Sequence, residues 1–388
     1  MTTVRNSPET LDAPRRTGGF AGYVDGIRAV VGMELRQRLR SRGWYIMLAI
    51  WFVLVGLVTG LTWYIWTSEQ NIHAGFNGSA GALIYEIVLA FVLLLALLVA
   101  PAFSANAING DRAGGTLAIL QVTLLRPGQI LCGKFLASWI AGLAFLVASV
   151  PFLVIGVLQG GVGIGEILVS ILMIAVEIGV VCAIGVGISA LANRPLFSIV
   201  VTYLCVSALT LGTLIAFGFG ALLSQGTVMA NQIYYKNAGE QYGADGSLLP
   251  SNLKQIGGVT DQDSDYACYG PLVEQPAVRT DRVAWLLGMN PLVVVADAIP
   301  YPSNDSSLTY GGGMLESASQ AARAAQAGPD STTMCANGKI GPAYFGQTTP
   351  LWPLGLGIQL LLSAGIWWLG WRALRTPARR LARGTRVA

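Results

Sequence analysis

The sequence predicts an all-α polytopic membrane protein with six transmembrane helices, and three observations predict it. Of 388 residues, 53% are hydrophobic and only 11% charged, with a mean hydropathy of +0.58. That leaves too little polar surface to cover a soluble globule of this size. Six windows reach the length of about 20 mainly apolar residues that crosses roughly 30 Å of hydrocarbon. Finally, Lys and Arg fall on alternate short connections between those windows.

Residues 1–43 form a cytoplasmic tail and an interfacial elbow. Met1–Thr17 is polar and Pro-containing, the composition of a disordered segment. After it Ile27, Val31, Leu35 and Leu39 recur every fourth residue, while Arg28, Arg36, Arg38, Arg40 and Arg42 supply a basic side. This describes an amphipathic helix lying in the inner interface with its guanidiniums at anionic headgroups. The other reading is positive-inside charge on a continuous first helix, and both anchor the same end.

Residues 44–224 hold five spans: Trp44–Trp66, Gly81–Ala105, Phe135–Gln159, Ile167–Ala192 and Leu196–Ser224. The first is no cleaved signal peptide, because 43 residues with eight Arg precede it and its apolar run is too long. The sixth span, Leu351–Trp371, opens the segment 351–388, which ends in a basic cytoplasmic tail. With an inside N-terminus, Met1–Gly43, the 106–134 loop, the 193–195 turn and the tail are all inside. The short outer loops Thr67–Ala80 and Gly160–Glu166 then carry no Lys or Arg, as the positive-inside rule demands. Both termini are expected in the cytoplasm. Trp44, Trp63, Trp66, Trp352, Trp367, Trp368 and Trp371 fall near span ends as an aromatic belt.

Glu177 sits deep in the fourth span, where an ionisable group faces a cavity or partner, or else packs as a hydrogen-bonded neutral group. Residues 225–350 form a large extracytoplasmic insertion rich in Gly, Ser, Asn and Asp. Its only cysteines, Cys268 and Cys335, are a reasonable disulfide on the oxidising side of a membrane. Within it Val283–Pro300 is apolar but broken by Asn290-Pro291, with Asp297 near its end, so it is expected to be re-entrant or surface-lying. Glu316–Ala327 is Ala-rich and expected to be helical.

Catalysis by the chain is not expected. Its single histidine, His73, excludes a His-pair zinc site, and no GxSxG or HExxH string occurs. No metal site and no catalytic residue is assigned. Gly128–Lys134 spells the start of a GxxxxGK phosphate loop, but Phe135 stands where Ser or Thr would ligate magnesium and no strand precedes it. The chain is therefore expected to bind no cofactor itself. The charge of +4 is modest, and no nucleic-acid partner is expected.

Between spans two and three the chain reads Asp111-Arg112, Gly115-Thr116-Leu117, Leu120, Leu124-Leu125, Pro127 and Gly133-Lys134. This resembles the coupling helix, here about residues 111–128, of the permease subunits of type-2 ATP-binding-cassette (ABC) exporters. The basic elbow, the six spans and the bulky outer excursion before the sixth agree in order. Ala113, Gly114 and Ala118 stand where that family carries acidic residues. The resemblance implies an ATP-driven export permease of the cell membrane, paired with a second, identical or related permease protomer. It also implies a separate ABC ATPase subunit in two copies, holding ATP and Mg. A rigid element joined to two spans suits such coupling: Thr116–Leu125 is long enough for nearly three helical turns, with Leu117, Leu120 and Leu124 as knobs. The alternative is a non-transporting membrane scaffold or sensor whose outer domain binds a ligand or partner.

Overall fold

The computed structural model describes residues 19–69, 80–115, 126–235, 259–260, 266–301, 313–341 and 347–375. Among them are six helices long and apolar enough to cross a membrane. In chain order the first half comprises α1 (Phe20–Leu39), α2 (Arg42–Glu69), α3 (Ala80–Ser104), the short α4 (Asn109–Ala113), α5 (Pro127–Leu158) and α6 (Ile164–Leu191). The fifth span is α7 (Pro195–Ser207), a π turn (Ala208–Gly212) and α8 (Thr213–Leu223). After the insertion comes the sixth, α13 (Trp352–Leu374).

Prolines open several of these helices where the missing N–H costs nothing. Pro127 starts α5 and Pro195 starts α7. The third span was expected from Phe135 and instead begins at Pro127. Gln129 and Lys134 ended the apolar window, but α1 satisfies them, so the helix continues through them.

The spans are not equivalent. About half of the most apolar stretch of α3 and of α6 is buried (50% and 56%), against 22% for the first, fifth and sixth spans. The core therefore lies mainly along α3, α5 and α6, and the other three spans add only a few side chains to it. Trp44, expected in the aromatic belt, belongs to this core: it packs on Phe103 and edge-on to Phe145, which also takes the edge of Trp51. Trp63 and Trp368 are exposed.

The membrane part is all helical, but the insertion adds a three-stranded antiparallel sheet of order β1-β3-β2 that an all-α class did not include. β1 (Gln225–Tyr235) leaves directly from the fifth span and pairs with β3 (Tyr266–Val278); β2 (Val259–Thr260) pairs with β3. A bulge near Asn231 frees its backbone N–H for the carbonyl of Cys335 (3.0 Å) and its side chain for that of Gly270 (2.7 Å). Cys268 of β3 and Cys335 are joined by a disulfide, fastening the following segment to the sheet.

The apolar stretch before Pro300 folds as two short helices, α9 (Trp285–Gly288) and α10 (Pro291–Ala298), broken at Asn290. Asn290 caps α10 through Leu292 N (2.9 Å) and donates to the Thr210 carbonyl in the π turn (2.7 Å). The break is thus lodged against the fifth span. The Ala-rich helix is α11 (Met314–Ala327), and α12 (Pro329–Thr332) follows.

Candidate functional site

The two ends of the bundle are called the elbow end, where α1, α4 and the 192–195 turn meet, and the insertion end. At the elbow end Lys134, in the second turn of α5, is 2% exposed. Its ammonium pairs with Glu34 of α1 and, at 2.5 Å, with Asp111 of α4. Burying an ammonium is tolerated only when it is paired and hydrogen-bonded. Two carboxylates from separate elements meet that need, so the cation holds both elements to the third span.

Local sequence makes the approach possible. Gly133 precedes Lys134, and a Cβ there would stand 2.7 Å from Val30 Cβ, so only glycine lets α1 lie this close to α5. Gln129 accepts from Arg126 N (2.7 Å) and donates to the carbonyls of Tyr23 (3.1 Å) and Gly22 (3.3 Å). The apolar stripe expected on α1 is consequently displaced: Val30 and Glu34 are its buried positions, whereas Leu39 is exposed.

Asp111 and Arg112 point to different neighbours. Arg112 donates to the carbonyls of Ala192 (2.6 Å) and Ala190 (3.3 Å), closing the C-terminus of α6. Beside it, Ser189 Oγ accepts from the backbone N–H of Ile108 (3.0 Å) and Asn109 (3.1 Å). Ser198 Oγ donates to Ala105 O (2.5 Å). The connection after the second span is therefore fixed to the third through Asp111 and to the fourth and fifth through Arg112, Asn109 and Ser198.

The chain leaves α4 through Gly115 at φ +73°, a left-handed conformation that favours glycine. Thr116, Leu117, Leu120 and Leu124 lie outside the described residues. Pro127 resumes the chain at the first position of α5.

The five elbow arginines divide. Arg28, Arg36 and Arg40 share an exposed face with Gly32, Met33 and Gln37, and Arg42 opens α2. Arg38, expected on the basic side, turns inward because the Phe103 carbonyl lacks a helical partner there. It donates to that carbonyl (3.2 Å) and to Ser138 Oγ (3.3 Å), its guanidinium 5.1 Å from the Phe103 ring centroid. Burial pulls the Arg38 guanidinium below its ordinary range, opposed by neighbouring Glu34.

The remaining sequence candidates sit elsewhere. Glu177 is fully buried in α6 with Gln359 of α13 as its polar neighbour, not facing an open cavity. The GxxxxGK string is helix from Gly128 onward, and its lysine is committed to Glu34 and Asp111. Among the described residues no group of His, Cys, Asp and Glu could hold a metal ion.

Sequence reasoning missed Glu34, the one acid amid the elbow arginines, whose isolation is itself a signal. It also read Asp297 only as a helix interruption. Asp297 is a buried hub at the insertion end. It accepts from Ser319 Oγ (2.9 Å) and Arg323 Nε (2.5 Å) of α11 and from the backbone N–H of Leu351 (2.6 Å) and Trp352 (2.8 Å). It thereby caps the sixth span while pairing with the insertion.

Comparison with curated proteins yields no match. The family model described as ABC-2 family transporter protein matches residues 28–296, from the elbow through the fifth span and into α10. That range contains the Lys134 junction and five of the six apolar helices, and on it the chain belongs to the ABC-2 family of transporter proteins, as a multi-pass membrane permease.

Proposed function

We propose that this permease is the membrane subunit of an ATP-driven exporter, forming a substrate pathway with a second permease protomer, identical or related. Two copies of a separate ABC ATPase would dock on the elbow end around residues 116–125. The elbow end then faces the cytoplasm with both termini, and the insertion lies outside the cell membrane. ATP and Mg belong to the partner, since the chain's own GxxxxGK string lacks the Ser or Thr a phosphate loop requires.

The observation that carries this reading is the Lys134 clasp. Residues 116–125 are bounded by α4 on one side and α5 on the other, and Lys134 locks both to the elbow. A push delivered there travels through Asp111 and Lys134 to α5 and α1, and through Arg112 to the turn joining the fourth and fifth spans. Closing of the ATPase dimer on ATP would thus displace several spans together, opening the pathway outward.

Mild detergent purification of the chain from its native host, with mass spectrometry of stoichiometric partners, tests this. An ATPase carrying a full GxxxxGK[ST] loop is expected. A stable chain without one would remove the transport reading and favour a scaffold or sensor.

A further inference from the structure

The Ala-rich helix α11 begins without a cap of its own. Its N-cap is Gly313, which offers no side chain to the first turn. The missing acceptor comes from the second span instead. Glu86 Oε2 accepts the backbone N–H of Leu315 (2.8 Å), the second position of the helix, where an N-cap side chain ordinarily accepts. Both partners are fitted to this contact. Gly313 has φ −66°, a value open to any residue, yet a Cβ on it would fall within the Glu86 carboxyl group, so the glycine is there for space and not for backbone freedom. Glu86 itself is buried and, among the described residues, forms no ion pair, so its hydrogen bond to α11 is what its carboxylate is committed to.

We propose that α11 is a strap tying the second span to the sixth at the insertion end, and that Glu86 is the residue that fastens it to the second. Its other fastening is Asp297, which receives Ser319 and Arg323 of α11 together with the backbone N–H of Leu351 and Trp352 where the sixth span starts. Leu315 and Arg323 lie about two turns apart on the helix. Apolar packing divides in the same way: Leu315 joins the core of the bundle, whereas Ala322 and Ala325 belong to a separate cluster with Leu351.

Such a strap has a use in this bundle. The second and sixth spans both pack on the fourth: Tyr85, beside Glu86, shares a hydrogen bond with Ser170 of α6 (2.7 Å), and Gly370 of α13 lies against Gly187 of α6. Those contacts set each span against α6, and α11 sets the two relative to each other. Glu86 acts through the helix it caps and is a positioning residue. The two fastenings are unequal, because Asp297 gathers four donors including a guanidinium, whereas Glu86 holds the first turn by its backbone. The inference concerns the chain by itself and does not depend on the transport reading.

Hydrogen exchange and spin-label distances in the full-length chain in lipid nanodiscs test it. E86A should speed amide exchange at 315–318 about five- to tenfold while β1 exchanges as in wild type, and E86Q, which retains an acceptor oxygen, should stay near wild type. A label pair at exposed Leu94 on α3 and exposed Leu354 on α13 should give a broader distance distribution in E86A. The discriminating variant is E86A/G313S. With the carboxyl gone the serine has room, and its hydroxyl caps α11 from within, so exchange should return toward the wild-type rate while the distance distribution stays broad. A distribution that E86A leaves unchanged, or that narrows again in E86A/G313S, overturns the strap. Exchange that rises equally in β1, or an E86Q as loose as E86A, overturns the role of Glu86 as the local acceptor.

Discussion

The elbow end and the insertion end are each closed by a buried charge, on opposite plans. At the elbow a cation, Lys134, is shared by two carboxylates, whose side chains remain 12% (Glu34) and 23% (Asp111) exposed. At the insertion an anion, Asp297, is fully buried and takes donors from Ser319, Arg323, Leu351 and Trp352. The first junction is purely ionic, reaches water and joins three elements with one side chain. The second is saturated, two of its donors being the backbone of the span it caps. Physical consequences differ accordingly. An ion pair near water can re-pair at little cost, whereas a buried carboxylate with four donors loses them all if it moves. In the proposed transport cycle the movement would therefore fall at the elbow end rather than at the insertion end.

The strongest way to break that comparison is Asp297→Ala. It strands the Arg323 guanidinium and uncaps α13, so a loss of about 3–5 kcal/mol is expected in thermal or denaturant unfolding of the solubilised chain. A loss below about 1 kcal/mol would show that the insertion end is no firmer than a surface pair.

Lys134→Met leaves Glu34 and Asp111 without their cation. Because both carboxylates can rehydrate, the expected loss is about 2–3 kcal/mol, smaller than for Asp297. Adding Glu34→Gln in that background should recover part of it, and full additivity of the two changes would contradict a shared junction. Arg112→Ala removes the donors to Ala190 and Ala192 and should cost about 1–2 kcal/mol, with faster hydrogen exchange confined to the 189–195 region.

The smallest effect concerns pH. Burial pushes the Glu316 carboxyl of α11 above the usual carboxylate range, opposed by a backbone hydrogen bond from Gly313. A carboxyl with a raised folded pKa favours folding at pH below its unfolded value, and that contribution is lost as pH rises through the folded one. Glu316→Gln should therefore raise the melting temperature near pH 8 and leave it nearly unchanged near pH 3, below the ordinary carboxylate range, where Glu and Gln are both neutral. Equal shifts at both pH values would assign the effect to packing.

Much of the architecture is legible because hydrocarbon imposes a length, and five spans begin within a few residues of where hydropathy sets them. The third does not, since Gln129 and Lys134 look like loop residues until their partners on α1 are known. The sheet escaped because its pairing is non-local: Gln225 faces Val278, with no tight turn to announce a hairpin. Asp111 and Arg112 were identifiable as a pair, but not that one reaches the third span and the other the end of the fourth. Asp297 was visible only as an interruption, because Ser319, Arg323 and Leu351 lie 22 to 54 residues away. Periodicity marks faces; it does not say which distant residue a buried charge will find.

On the proposed cycle the elbow end is the moving joint. An electron-spin-resonance distance, with and without ATP, in the purified permease–ATPase complex reads it, between a label at exposed Arg36 on α1 and one at exposed Leu361 on α13, the sixth span, which the Lys134 junction does not hold. A nucleotide-dependent change is expected, and it should disappear in Lys134→Met while the complex stays assembled. An identical change in Lys134→Met would contradict it.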